Sequence, residues 1–288
     1  MNVRKISVHT IAALALVILV YCPFNAQAEL QEEMSSENWS GKVDWQEGYI
    51  YASAIGTADM AEMVNEIQAE QVSKVTATHL AYRALYEMIG KIGLDATSIY
   101  RKQIMVDDIL KIETQGELEN VQIWKYSFSW TPHGSPKAIV TVRMPMQGGL
   151  SRSAANWANR QPDMPRFESD LPSGDTSYTG LIVDARDIGL QPCMCPKILT
   201  NEGRREVYGP GSADPDKAGI GFAAYTGSVE EARKNQRAGR NPLVIKATGS
   251  HGIRKGDVVI SENDAVSVLR ADLHNNILKE CRVIIVAK

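Results

Sequence analysis

The feature that most constrains this fold is a long helical pattern, because a helix of this length needs a sheet or other helices to cover its apolar side. Residues 60–91 carry apolar side chains at three- and four-residue spacing, which predicts one helix with a single buried stripe. Asp59 stands where an N-cap is expected, with Glu62 three residues later. The expected stripe comprises Val75, Thr78, Tyr82, Leu85, either Met88 or Ile89, and Ile92. Alanines interleaved with this stripe would let the helix lie close against a sheet.

Strand patterns on both sides of this helix supply such a sheet. A β-branched and aromatic run at 49–55 is bounded by glycines, and runs at 121–130 and 138–144 flank a turn rich in proline and glycine. We also expect a strand at 97–102 and a short helix at 106–112. The N-terminal part is therefore predicted to be a long helix packed on an antiparallel sheet.

The beginning of the chain has the layout of a secretory signal peptide. Arg4 and Lys5 precede an apolar run, and Ala26 and Ala28 form a small-x-small cleavage site before Glu29. The apolar run is too short for a stable membrane anchor, which needs about 20 residues. We therefore expect an exported protein that works in the periplasm.

Cys22 ends the apolar run and makes lipidation an alternative to simple cleavage. Lipoprotein processing requires a small residue just before the modified cysteine, whereas Tyr21 precedes Cys22 and Pro23 follows it. Cleavage after Ala28 is the favoured expectation. After this cleavage the protein would contact the membrane only through partner proteins. If Cys22 is lipidated instead, the lipid would anchor it.

Changes in composition along the chain predict its domain organisation. A polar, acidic stretch containing Trp39 and Trp45 is expected to form a loosely ordered arm, whose tryptophans would dock on the first domain or on a neighbouring protein. A later stretch with few apolar residues and several prolines indicates a linker, with wrapping of part of it around a domain as the alternative. The expected divisions are a signal peptide at 1–28, the arm at 29–48, a helix-on-sheet domain at 49–147, the linker at 148–178 and a C-terminal domain at 179–288.

Strand and helix patterns alternate in the C-terminal region, which is typical of an α/β sandwich. The continuous apolar run at 180–185 indicates a strand at the centre of a sheet, and residues 201–203 indicate the turn of a hairpin. The other expected strands are 198–200, 206–208, 243–247, 258–260 and a final buried strand at 283–286. The expected helices are 228–236, capped by Ser228 and Glu231, and 261–278, capped by Ser261. The chain is therefore assigned to the α+β class.

Composition and motifs indicate no enzyme, no cofactor and no nucleic-acid partner. The whole chain has a formal net charge of −3, and a chain of this balance lacks the basic surface of a nucleic-acid-binding protein. No nucleophile elbow or P-loop is present, and the histidines lack metal-ligand spacing. A dinucleotide site needs an acidic residue about 20 positions after the glycine-rich run at 219–224, and none is present there. We therefore expect a loop whose glycines allow a positive φ or a close approach of the backbone. Asp184 and Arg186 are expected to form an internal ion pair.

Cys193, Cys195 and Cys281 are the sharpest local feature of the C-terminal region. One interpretation is structural, either a disulfide between Cys281 and one of the other two or simply buried thiols. A second is thiol redox exchange, and a third is binding of a soft metal. Redox proteins usually have two residues between their cysteines, and no histidine is near enough in sequence to complete a metal site. The structural interpretation is therefore favoured.

The pattern of the N-terminal part resembles a known envelope module over 49–144. A strand ending in Ala-Ile-Gly at 54–56 precedes the alanine-rich helix, which continues into AYRALYEMIGKI at 81–92 and DATS at 95–98. Gly116 then precedes a pair of strands. This arrangement resembles the domain shared by the flagellar assembly protein T family (FlgT) and the LPP-type outer-membrane lipoproteins.

The resemblance implies a helix-on-sheet domain without enzymatic activity, in proteins that surround the flagellar basal body or lie at the outer membrane. We therefore expect a non-catalytic structural or assembly protein of the periplasm. Its expected partners are other envelope proteins, including flagellar basal-body components, or copies of itself. The alternatives are a binding module for an envelope ligand or protein, and a thiol-redox or soft-metal protein that uses Cys193 and Cys195.

Overall fold

The structure is a computed structural model, and the residues it describes are 30–36, 39–97, 120–169, 177–200 and 204–288. Cys22, Ala26 and Ala28 lie outside these residues. The strand expected at 97–102 lies outside them apart from its first residue, and so does the helix expected at 106–112. All of these stay predictions.

The N-terminal part is an antiparallel sheet with a long helix across one face, as the sequence predicts. Its strands are β1 (Gln31–Ser35), β2 (Trp39–Asp44), β3 (Tyr49–Thr57), β4 (Gln122–Trp130) and β5 (Pro136–Pro145), and its helix is α1 (Glu66–Ile89). The strand order is β1-β2-β3-β5-β4. Ile50, Ala52 and Ala54 are buried on alternate positions of β3 because they face α1.

The acidic segment before β3 is folded, so the expectation of a loosely ordered arm is wrong. β1 pairs with β2 and β2 pairs with β3, in both cases antiparallel. Leu30, Val43 and Trp45 are buried, and the Trp45 indole N–H donates to the Glu32 carboxylate at 3.1 Å. Pairing in the sheet satisfies the backbone of this segment even though most of its side chains are polar.

α1 begins later than the helical pattern suggests. The Asn65 side chain caps it by accepting the Gln68 N–H at 2.9 Å, whereas Asp59 caps only a short 3-10 turn, Met60–Glu62. Val75 is 53% exposed, so the predicted stripe is wrong near the start of the helix. The buried face consists of Ala69, Ser73, Ala77, Ala81, Ala84, Leu85, Met88 and Ile89.

The close approach of α1 to β3 explains why this face is built mainly from small residues. A Cβ atom added at Gly56 would lie 2.2 Å from the Ser73 carbonyl oxygen and 2.3 Å from the Ala77 backbone nitrogen. The two backbones therefore touch at Gly56. Larger side chains at these helix positions would have no space in so tightly packed an interior.

We expect Gly56→Ala to lower the free energy of unfolding by about 1–3 kcal/mol, because the added methyl group must displace the α1 backbone. Gly249→Ala is the matched control, since nothing lies within 4 Å of a Cβ atom added there. Urea unfolding followed by circular dichroism measures both variants. Equal stability of the two would contradict direct contact between helix and strand.

The expected linker at 148–178 begins with a helix that is packed into the core. This helix, α2 (Gly149–Ala158), buries Leu150, Ala154 and Trp157. The linker prediction is therefore wrong for this stretch, because its few apolar residues lie on one side of a helix. Residues 170–176 lie outside the described part of the chain.

Over residues 177–200 and 204–288, the C-terminal part has two four-stranded sheets and two α-helices. They are β6 (Gly180–Asp184), β7 (Ile198–Thr200), β8 (Arg205–Tyr208), β9 (Ala224–Thr226), α3 (Val229–Lys234), β10 (Pro242–Lys246), β11 (Gly249–His251), β12 (Asp257–Val259), α4 (Glu262–Asn275) and β13 (Val283–Val286). One sheet is parallel, with the order β10-β6-β13-β9. The other is mixed, with the order β11-β12-β7-β8.

Several local predictions for this part are confirmed. β6 and β13 are adjacent at the middle of the parallel sheet, as their continuous apolar runs predict. Ser228 caps α3 by accepting the Glu231 N–H at 3.2 Å, and Ser261 caps α4 by accepting the Asp264 N–H at 3.1 Å. α4 ends where Asn276 adopts a left-handed conformation, with φ of 48°.

The N-terminal and C-terminal parts share one hydrophobic core. Main-chain hydrogen bonds join the segment after α1 to the segment that carries the first two cysteines. The Gly93 carbonyl accepts the Met194 N–H at 2.9 Å, and the Leu94 carbonyl accepts the Cys195 N–H at 2.8 Å. The C-terminal part is therefore attached to the N-terminal helix by backbone as well as by side-chain packing.

Candidate functional site

The three cysteines that the sequence singles out are buried, free thiols. Cys193 and Cys195 lie at the junction of the two parts, and the Cys193 thiol donates to the Gly256 carbonyl at 3.6 Å. Cys281 precedes β13 and adopts a positive φ of 52°. The structural interpretation had two forms, a disulfide that includes Cys281 or buried thiols. The structure has the buried thiols and not the disulfide.

The cysteine environment does not favour redox or metal chemistry. Burial raises the pKa of the Cys193 and Cys195 thiols well above the ordinary value, and nearby carboxylates add to this effect. The thiolate is both the nucleophile and the metal ligand, so thiols held protonated are poorly reactive. Within the part of the chain that the structure describes, no group of three or more His, Cys, Asp and Glu residues is arranged to hold a metal ion.

We expect the chain beginning at Glu29 to react slowly with Ellman's reagent when native, because all three of its thiols are buried. In denaturant Cys193, Cys195 and Cys281 should all be titrated. A Cys281→Ser variant is the control and should lower the denatured count by one. A single reactive thiol in the denatured parent would instead establish the disulfide.

Two predictions next to the parallel sheet are confirmed. Arg186 donates from Nε to Asp184 at 2.8 Å and from Nη2 to the other carboxylate oxygen at 2.7 Å. These bonds lower the pKa of the Asp184 carboxyl, as an internal ion pair should. Gly221, in the glycine-rich run, has a φ of 79°, which agrees with a loop that needs a left-handed residue.

The structure has a buried carboxyl group beside the cysteines that no sequence pattern predicted. The Asp257 carboxylate accepts the Lys197 backbone N–H at 3.0 Å and lies 3.8 Å from His251 Nδ1. Burial raises the pKa of Asp257 to about 7. Sequence reasoning missed this group because its burial depends on the pairing of β12 with β7, which are distant in sequence.

The raised pKa of Asp257 predicts that stability falls as pH rises. The folded chain holds this proton more tightly than the unfolded chain. The resulting stabilisation of the folded state is therefore fully present below about pH 4 and is lost as the pH rises toward about 7. Asp257→Asn keeps the acceptor for the Lys197 N–H and should flatten the dependence of Tm on pH in this range. Asp216→Asn, at an exposed position, is the control and should keep the parent slope. An unchanged slope in Asp257→Asn would contradict the buried proton.

The face of the N-terminal sheet that α1 leaves uncovered carries aromatic and cationic side chains. Tyr49 and Tyr51 occupy the β3 positions that alternate with buried residues, so they lie on the side away from α1. Arg143 on β5 is the register partner of Tyr51, and Trp124 lies beside it on β4. We call Tyr49, Tyr51, Trp124 and Arg143 the aromatic face.

Contacts within the aromatic face hold its rings in place. The Arg143 guanidinium lies 3.9 Å from the centre of the Trp124 ring and 4.9 Å from that of the Tyr49 ring. Arg143 also donates to the Gln122 side chain at 3.1 Å. The Tyr51 ring meets Trp124 edge to face, with 6.3 Å between centroids. Cation–π and edge contacts of this kind fix side chains at a surface.

Tyr51 is fixed further by charged neighbours. Its hydroxyl donates to Glu47 at 2.7 Å, and the Lys42 ammonium lies 5.3 Å from the ring centroid. Burial raises the pKa of Tyr51 to about 12, and the Glu47 carboxylate adds to this rise. The tyrosine therefore remains a neutral hydrogen-bond donor at physiological pH.

A β-bulge places Trp124 on the aromatic face. The pairing of β4 with β5 shifts between Ile123 and Lys125, so Trp124 is an extra residue in its strand. Bulges of this kind redirect a side chain. Trp124 is 45% exposed despite its size. No sequence pattern indicated the bulge, because the strand reads as a regular alternation of side chains with no sign of an extra residue.

Comparison with known proteins concerns the C-terminal part. A family model described as Treponema pallidum Tp0624, second domain, matches residues 180–288. The match begins at the first residue of β6 and covers less than half of the chain. Among curated proteins, none matches this chain. The resemblance of the N-terminal part to the FlgT and LPP-type domains stays a prediction.

Proposed function

We propose that this protein is a non-catalytic component of the cell envelope that binds an acidic partner protein through its aromatic face. The observation that carries the proposal is the Arg143 guanidinium held between the Trp124 and Tyr49 rings on the uncovered side of the sheet. Large exposed aromatic clusters mark interaction sites on soluble proteins.

The residue types of the aromatic face are those that dominate protein interfaces. Tyr, Trp and Arg are enriched at interfaces and supply most binding hot spots. Rings that are already fixed lose little conformational entropy when a partner binds. The aromatic face is therefore organised for binding before a partner arrives.

Charge on β4 and β5, two neighbouring strands that contain no acidic residue, favours a partner that presents carboxylates. Lys125 on β4 and Lys137 on β5 lie at positions that point away from α1, and Arg143 lies in the aromatic face itself. None of these three cations has a carboxylate within ion-pair distance among the described residues. An acidic surface would complement them and speed association.

The placement in the periplasm rests on the sequence of the N-terminal segment. Arg4, Lys5 and the apolar run before Ala26 and Ala28 support export. Among the helices of the described residues, none has the length and the hydropathy of a membrane-spanning segment. The resemblance to FlgT supports a partner in the flagellar basal body.

Cross-linking in the producing bacterium tests the aromatic face. A photo-reactive amino acid at position 127, where Ser127 is exposed on β4 beside the aromatic face, should give one discrete adduct with an acidic envelope protein. Adding Arg143→Ser should abolish it, because loss of a hot-spot residue weakens binding by about thirtyfold or more. The control position is 273, where Leu273 is 54% exposed on α4, and it should not give this adduct. The same adduct from both positions would contradict the proposal.

Complementation of a deletion strain tests the assembly role. The deletion should impair motility or envelope integrity, and the parent chain should restore it. A chain with Trp124→Ser and Arg143→Ser should fail to do so, whereas Leu273→Ser should succeed. Normal motility and envelope integrity in the deletion strain would overturn the assembly role, and full rescue by the double variant would overturn the role of the aromatic face.

A further inference from the structure

A cavity of about 290 Å³ lies at the junction of the N-terminal and C-terminal parts. Its walls come from the turn between β2 and β3, the start of α2, the cysteine segment and the loops on either side of β9 and α3. Lining residues that carry aromatic or polar groups include Trp45, Glu47, Ser151, Tyr225, Asn235 and Arg237. Sites for small ligands occur preferentially between domains.

One wall of this junction cavity is a fixed aromatic pair. The Trp45 and Tyr225 rings meet edge to face, with 5.6 Å between centroids and 70° between planes. The Tyr225 hydroxyl donates to the Cys193 carbonyl at 3.0 Å and accepts the Cys193 N–H at 3.1 Å. The wall is therefore apolar and already ordered.

A half-buried cation lies in the cavity. Arg237 Nη1 donates to the Gly221 carbonyl at 3.0 Å and to the Cys281 carbonyl at 3.2 Å, and Nη2 donates to the Ile220 carbonyl. In the described part of the chain no carboxylate lies within ion-pair distance of Arg237. A guanidinium has five N–H donors, so the three carbonyls leave two for a ligand.

A carboxylate completes the polar lining. Glu47 accepts the Tyr51 hydroxyl and lines the same cavity as Arg237. No ion pair joins Glu47 to Arg237 among the described residues. The cavity therefore offers separate groups of opposite charge beside an aromatic wall.

We propose that the junction cavity binds a small zwitterion of the amino-acid or short-peptide type. Its carboxylate would bind Arg237, its ammonium group would bind Glu47, and its apolar portion would pack on Trp45 and Tyr225. The volume lies near the lower end of the range of about 300–1,000 Å³ for small-ligand sites, which suits one or two amino-acid residues. This inference goes beyond the proposed function, because it concerns a second binding site.

Titration calorimetry on the chain beginning at Glu29 tests the site. The probes are L-phenylalanine as a free amino acid, L-alanyl-L-phenylalanine as an ordinary dipeptide and D-alanyl-D-alanine as a dipeptide of cell-wall type. We expect saturable binding of at least one probe, and the preferred probe identifies the source of the natural ligand. Absence of saturable binding for all three would overturn the proposal.

Chemical blocking of the ligand tests each charged contact without altering the fold. Amidation of the carboxylate should weaken binding by about tenfold or more, since a charge-assisted bond to Arg237 is lost. Acetylation of the amine should have a similar effect, and this effect should disappear in Glu47→Gln. An amidated probe that binds as tightly as the free acid would contradict the role of Arg237.

Three variants serve as matched comparisons. Glu168→Gln changes an exposed carboxylate that does not line the cavity, and it should bind as the parent does. Leu273→Ser, at an exposed position of α4 that does not line the cavity, should also leave binding unchanged. Arg237→Gln should abolish binding; if it fails to fold, the amidated probe still decides. Loss of binding in Glu168→Gln or Leu273→Ser would overturn the placement of the ligand.

Discussion

The main-chain bonds between residues 93–94 and 194–195 are the interaction on which the rest of this structure depends. They place the C-terminal part directly against the end of α1, so that one hydrophobic core extends through both parts. The same contact buries Cys193 and Cys195 and positions the wall formed by Trp45 and Tyr225. Cys193 and Cys195 therefore have a structural role, and their small apolar side chains suit a place where two backbone segments are joined by hydrogen bonds.

The second organising constraint is that α1 covers only one face of its sheet. Contact at Gly56 brings helix and strand backbones together, so the small residues of α1 seal that face. The opposite face keeps half-exposed tyrosines, Trp124 and Arg143. One antiparallel sheet thus gives the N-terminal part both a core and the exposed face that we propose as a binding surface, because alternate residues of a strand point to opposite sides.

Local patterns predicted much of the fold. The alternating strands, the continuous apolar runs of β6 and β13 and the serine caps of α3 and α4 are signals contained within a few residues. The same reasoning was wrong for the arm and for the start of the linker. There the local composition is polar, and order comes from partners elsewhere: β3 for the arm, and the shared core for α2.

The sequence alone determined the α+β class, the buried strands and the ion pair of Asp184 with Arg186, because these depend on residues that are close together along the chain. Only the tertiary structure decided that Asp257 is buried, that a bulge brings Trp124 to Arg143, and that Arg237 shares a cavity with Trp45. These groups lie far apart in sequence or depend on pairing between strands. Their burial and electrostatic environment are set by long-range packing, which local periodicity does not encode.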